Sequence, residues 1–235
     1  MTLDETAIHR LLLWVVKSEE VAQRKGSYPE KLLPLRESLA GAYRPCTFSQ
    51  LEGLLRKSNR KLNLEDHGAY IFLDPIADEA AVPVASFNFD FSAKPPVLRI
   101  RVAVFGSPER NGTAASAARS IAFRLEPPEG TSGVHSYPHL QLISGFTKDG
   151  ASIPGIPDWM PDSQPAWPLD SRGPFALLCC LMIGLYGAEY INAMNGFDYT
   201  ATASLLTGCH FPWPLERRSP PGNSNRKVAR KKLNR

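Results

Sequence analysis

Near residue 69 the hydrophobic period of this chain changes from the helical repeat of about 3.6 residues to the strand repeat of 2. Helical patterns precede that switch, alternating patterns follow it without interruption to about residue 142, and an apolar helix comes after them, so the expected fold class is α+β, with an antiparallel meander rather than a parallel sheet. Ahead of the switch, Ile8, Leu11, Leu12, Val15 and Val16 follow the capping-box spacing Thr2-x-x-Glu5, which predicts a helix over about residues 4–24 that ends near Gly26. A shorter helix is expected over residues 29–39, broken around Pro34. Thr47-Phe48-Ser49-Gln50 opens a third, through about Lys61, which would gather Arg56, Lys57, Arg60 and Lys61 into a basic patch.

Beyond the switch, Tyr70-Ile71-Phe72-Leu73 reads as a strand stopped by Asp74-Pro75. In residues 84–91, Ala85, Phe87, Phe89 and Phe91 share one face; in 97–105, Leu98, Ile100, Val102 and Val104 do the same. Keeping those faces together requires paired residue numbers with an odd sum. A sum of 189 is expected, with Asp90 opposite Arg99 and Asn88 opposite Arg101. A fourth strand turns Ile121, Phe123 and Leu125 inward and Ser120, Ala122 and Arg124 outward. The fifth carries His135, Tyr137, His139 and Gln141 on one face, and Pro138, which has no amide hydrogen, places it at an edge or starts its regular pairing after that residue. The meander thus has about five strands.

Residues 150–174 hold six prolines and two tryptophans, Trp159 and Trp167, and are expected to form an ordered strap across the domain. Pro174 then suits the first turn of an apolar helix ending near Asn192, which would be buried against the sheet's apolar face with the N-terminal helices. Asp198 is expected to cap a last short helix closed at Gly208.

With 43% hydrophobic residues in 235, the chain has enough apolar side chains for one core without disulfides or metals. Residues 1–215 are therefore read as one domain and 216–235 as a basic, flexible tail. The four cysteines (Cys46, Cys179, Cys180 and Cys209) have no CxxC spacing, and the N-terminal residues lack the pattern of a secretory signal, which points to a reducing, cytoplasmic setting. The longest apolar run, residues 175–188, is shorter than the roughly 20 residues of a membrane-spanning helix.

Charge is unevenly divided. Residues 216–235 contain eight basic residues, among them Arg226, Lys227, Arg230, Lys231 and Lys232, and one acid, for a net +7. The remaining 19 basic and 22 acidic residues leave 1–215 at −3, so the net +4 of the whole chain is a property of the tail. An arm of this composition binds nucleic-acid phosphates without sequence preference, or docks on an acidic protein.

On the polar face of the sheet, Arg99, Arg101, Arg124, Tyr137 and Gln141 form a candidate ligand site for phosphate or carboxylate, with His139 and, secondarily, His135 as candidate catalytic groups. No metal is expected: on an extended strand His135 and His139 stand roughly 13 Å apart, at about 3.3 Å per residue. No cofactor is implied. The order of elements resembles that of the ubiquitin-conjugating fold, with Tyr137-Pro138-His139 where that family carries His-Pro-Asn. No cysteine follows within the strap and the asparagine is absent, so the likeness is one of layout. The leading expectation is a non-enzymatic nucleic-acid-binding or accessory subunit of a nucleic-acid-processing complex. A metal-independent phosphodiesterase using His139 and the arginines is the second reading, and a protein-interaction subunit the third.

Overall fold

In the computed structural model the described residues are 3–76, 81–106, 120–128, 137–143, 167–169 and 173–187. Helix α1 (Leu3–Arg24) buries the stripe Ile8, Leu11, Leu12, Val15 and Val16. Gly26, at φ +61°, stops it: the amide of Ser27 reaches back to the Ala22 carbonyl at 2.8 Å, a turn that favours a residue without Cβ. A single 3-10 turn (Glu30–Leu32) leads into α2 (Leu33–Ala42), with Pro34 in the first turn, where its missing N–H costs no helical bond. The break expected around Pro34 falls at this junction.

Helix α3 (Phe48–Lys57) is capped twice. Thr47 Oγ1 accepts from the Gln50 amide at 3.2 Å, and Glu20 of α1 accepts from the Phe48 amide at 2.8 Å. It ends four residues before Lys61, a correction to the expected span. Asn59 and Arg60 take left-handed conformations (φ +43° and +73°), which no continuing helix tolerates, and the chain turns directly into β1 (Lys61–Asn63).

The sheet continues through β2 (Ile71–Phe72), β3 (Ala81–Asp90), β4 (Val97–Gly106), β5 (Ser120–Glu126), β6 (His139–Leu142) and β7 (Trp167–Pro168). All pairings are antiparallel. The order is β1-β3-β4-β5-β6-β7, with β2 also paired to β3. The five expected strands are present; β1 and the two-residue β7 extend the sheet. Regular pairing of β6 starts at His139, immediately after Pro138, and β7 covers the outer side of β6.

The register between β3 and β4 differs by two from the expected one: Asn88 lies opposite Arg99, Ser86 opposite Arg101 and Asp90 opposite Val97, a sum of 187. Asp90 is the cause. Its carboxylate accepts from the amides of Ser92 (2.9 Å) and Ala93 (3.1 Å) and from the Ser92 hydroxyl (2.5 Å), so the chain leaves the strand there and the connection becomes six residues long. A shift by two preserves the faces, so the inward and outward assignments are unaffected.

The first face packs Phe87, Phe89, Ile100, Val102 and Leu125 against α1, α3 and α4 (Pro174–Tyr186) in one core. Burying each phenylalanine contributes about 2–3 kcal/mol. Helix α4 has no charged residue, and its Phe175, Leu178, Cys179 and Met182 are at most 1% exposed. It stops at Gly187 (φ +80°), short of Asn192, and the Tyr186 hydroxyl donates to the Asp74 carbonyl at 2.6 Å. The second face is divided. Val82, Val84, Ala103, Phe105 and Ala122 form a second core with Leu35 and Leu39 of α2 and with Tyr28, Tyr43 and Tyr70, while the other half of the face is polar. The last expected helix (residues 198–208), the 216–235 tail and most of the strap lie outside the described residues.

Candidate functional site

The polar half of the second face is built by register. Ser86, Arg101, Arg124 and Gln141 form a continuous row across β3, β4, β5 and β6, with Arg101 directly opposite Arg124 and Arg124 directly opposite Gln141. The next rung pairs Glu126 with His139, and Asn88 pairs with Arg99. Arg99, Arg101, Arg124, His139 and Gln141 are therefore on one face, because alternation along each strand sends every one of them the same way, while Tyr137 precedes β6 and meets the His139 ring. His135 lies outside the described residues.

Their surroundings differ from a row of exposed cations. Arg124 donates through Nη2 and Nε to Gln141 Oε1 (2.7 and 3.1 Å), and its Nε also lies 3.2 Å from Glu126 Oε2. Arg101 Nη1 donates to Glu65 Oε2 at 3.2 Å, a carboxylate delivered by the single 3-10 turn Glu65–His67 that follows β1. The side chains of Arg101 and Arg124 are 42% and 31% exposed, whereas those of Glu126 and His139 are 8% and 0%. The arginines thus face solvent over a buried polar floor.

His139 belongs to that floor, which corrects its expected exposure. Its Nδ1 lies 3.0 Å from the Tyr137 carbonyl, so Nδ1 carries the hydrogen and donates. Nε2 points at Glu126 Oε2, 3.6 Å away, and the Tyr137 ring stands edge-on at 6.1 Å. A side chain with no solvent-accessible surface cannot exchange a proton with a substrate held outside the sheet, however suitable its residue type. Glu65 and Glu126 are ion-pair partners of this row that the sequence reading left out. The two-residue spacing of Arg124 and Glu126 on one strand face could have indicated the second; nothing local indicates the first.

The expected helical patch does not form. Arg56 pairs with Glu52 within α3 at 2.8 Å. Arg60, beyond the helix, donates from Nε to Glu5 at 3.2 Å and from Nη2 to the Phe91 carbonyl at 2.8 Å, while Lys61 lies 3.4 Å from Asp90. Lys57 is exposed at the end of α3. The physical reason is the left-handed turn at Asn59 and Arg60, which sends the last two cations away from the helix surface. The tail cations Arg226, Lys227, Arg230, Lys231 and Lys232 lie outside the described residues.

Among the described residues no group of three or more His, Cys, Asp or Glu side chains is placed to hold a metal ion. Cys46 and Cys179 are buried and Cys180 is partly buried, none of them in a disulfide. Burial, reinforced by the Glu20 carboxylate, pushes the Cys46 thiol up to about 11, so it stays protonated and unreactive at neutral pH. No described helix is long and apolar enough to cross a membrane. Comparison with protein-family models, with curated proteins and with solved structures finds no match to this chain.

Proposed function

We propose that this protein is a non-enzymatic nucleic-acid-binding or accessory subunit of a nucleic-acid-processing complex, held to phosphate backbones chiefly by its basic C-terminal segment. The observation that carries the reading is the division of charge: +7 over residues 216–235 against −3 over the rest. It is reinforced in the body, where Arg56, Arg60, Lys61, Arg101 and Arg124 each have a carboxylate within 3.4 Å, so much of their charge is already compensated. Binding through such a segment is electrostatic, releases counterions and carries no sequence preference.

The burial of His139 favours binding over hydrolysis. The direct test is fluorescence anisotropy with a labelled single-stranded oligonucleotide and the full chain, compared with a variant in which the eight basic residues of 216–235 are replaced by glutamine. Affinity should fall by at least about a hundredfold, since several phosphate contacts are lost together. Equal affinity of the two proteins would remove the reading. Cleavage of the oligonucleotide by the native chain, abolished in His139→Ala, would establish the phosphodiesterase reading instead.

A further inference from the structure

We infer that the solvent-facing crest of α1, carried by Arg10, Lys17 and Arg24, is a second contact surface for a nucleic-acid backbone, one that belongs to the folded body. The inference rests on the reading of a polyanionic partner given above, but not on the C-terminal segment. The three cations recur every seventh residue, and at about 100° of rotation per residue they fall within about 40° of one another, on the side of the helix opposite the buried stripe Ile8, Leu11, Leu12, Val15 and Val16. The apolar face therefore fixes where they point. All three are exposed, and the row runs roughly 21 Å along the axis at about 1.5 Å per residue.

Three observations separate this row from the compensated cations elsewhere on the body. First, its pairing is slight. Arg10 makes no ion pair among the described residues, and Lys17 lies over the Phe48 ring, 5.9 Å from its centroid, rather than beside a carboxylate. Arg24 Nη2 stands 3.9 Å from Glu20 Oε2, and its side chain is 72% exposed. Second, the local balance is positive. Lys25, exposed and likewise without an ion pair among the described residues, follows the row, so four cations stand against the one carboxylate of Glu20, which also accepts from the Phe48 amide. On neighbouring α3, Glu52 is already taken up by Arg56. Third, the shape suits a strand of phosphates. These recur at about 3.4 Å of axis per strand in a duplex, so a strand laid along the crest brings one within reach of each long side chain in any register. A lipid surface fits less well, because α1 buries its apolar face in the core and has none to insert.

The test measures binding of the labelled single-stranded oligonucleotide over a range of salt concentrations by four full-length proteins. These are the native chain, the chain with the eight basic residues of 216–235 replaced by glutamine, a crest variant carrying Arg10→Gln, Lys17→Gln and Arg24→Gln, and the combination. The crest side chains lie outside the core, so the variants should keep the native circular dichroism and melting temperature. Without the tail cations, the remaining binding should have a salt slope of about −2, three contacts at roughly 0.7 each, and the crest replacements should bring that slope near zero. In either background they should weaken binding more than about tenfold at low salt. Arg10→Lys with Lys17→Arg and Arg24→Lys should bind as the native crest does, because phosphate contacts of this kind need charge alone. Crest replacements that change neither slope nor affinity, with or without the tail cations, overturn the inference and leave the tail reading standing. Loss of affinity in the crest variant, with none on replacing the tail cations, keeps the inference and removes the tail reading. Unchanged oligonucleotide binding, with loss of binding to vesicles of phosphatidylserine and phosphatidylcholine, assigns the crest to a membrane surface and overturns the inference.

Discussion

Glu126 and His139 occupy one rung of the sheet, paired across β5 and β6, and both are buried beneath Arg124. Glu126 Oε2 lies 3.2 Å from Arg124 Nε and 3.6 Å from His139 Nε2, so one carboxylate sits between the exposed edge of the polar face and its floor. Glu126→Gln should therefore cost about 1–3 kcal/mol of stability, because it leaves a partly buried guanidinium with a weaker acceptor. Glu65→Gln, whose arginine partner is nearly half exposed, should cost under about 1 kcal/mol. Urea denaturation of the two variants measures the difference, and equal losses would contradict the assigned roles.

The same contrast separates two arginines that sequence places side by side. Arg60 spans from the buried Glu5 of α1 to the Phe91 carbonyl at the end of β3, so it ties the first helix to the sheet. Arg56 makes a surface pair with Glu52 one helical turn away. Arg60→Ala should lower stability by about 2 kcal/mol, much of it from the carboxylate left buried. Arg56→Ala should stay within about 0.5 kcal/mol. Thermal melts of both variants decide the point.

His9 gives the fold an acid-sensitive position. It packs against Phe89 and Phe91, with ring centroids at 5.6 and 6.1 Å, and its Nε2 is buried with no hydrogen-bond partner among the described residues. Burial lowers its proton affinity, against the opposing pull of the Glu5 carboxylate. A histidine whose folded value lies below 6.5 contributes stability above pH 6.5, and that stability is lost as pH falls through the folded value, because the unfolded chain takes up the proton first. Glu19, raised by burial despite its bond with Arg36, acts in the opposite sense: its neutral form is favoured, and stability falls as pH rises from about 4.5 through the folded value. The informative comparison is therefore native chain against His9→Phe at the same pH. The variant should gain more stability at pH 5.5 than at pH 7.5, and an equal gain at both would show that His9 does not titrate on unfolding.

Strand faces were legible in the sequence because alternation is a local property. Phe87, Phe89, Ile100, Val102 and Leu125 are buried together as their spacing requires, and Arg99, Arg101, Arg124 and Gln141 lie together on the opposite side. Register was less legible, since it depends on where a turn begins. The Asp90 carboxylate sets that point through bonds to Ser92 and Ala93, which also hold it below its ordinary value. The end of α3 was hidden for a related reason: Lys57-Ser58-Asn59-Arg60-Lys61 is polar throughout and carries no period, so the left-handed pair at Asn59 and Arg60 leaves no pattern to read. Burial of His139 and the pairing of Arg101 with Glu65 depend on segments far apart in sequence, 36 residues in the second case. No local pattern reports such a contact. The division of the second face, apolar under α2 and polar beyond it, was half visible: Val84 and Ala122 already interrupt the polar alternation of β3 and β5.

The salt dependence of oligonucleotide binding tests the central claim most directly. If residues 216–235 neutralise phosphates with most of their eight basic side chains, the logarithm of the association constant should fall against the logarithm of salt concentration with a slope of roughly −5 for a single strand. The slope should approach the small value left by the body once those eight residues are glutamine. A shallow slope in the native chain, or a steep one that survives the replacement, would contradict the assignment of binding to the C-terminal segment.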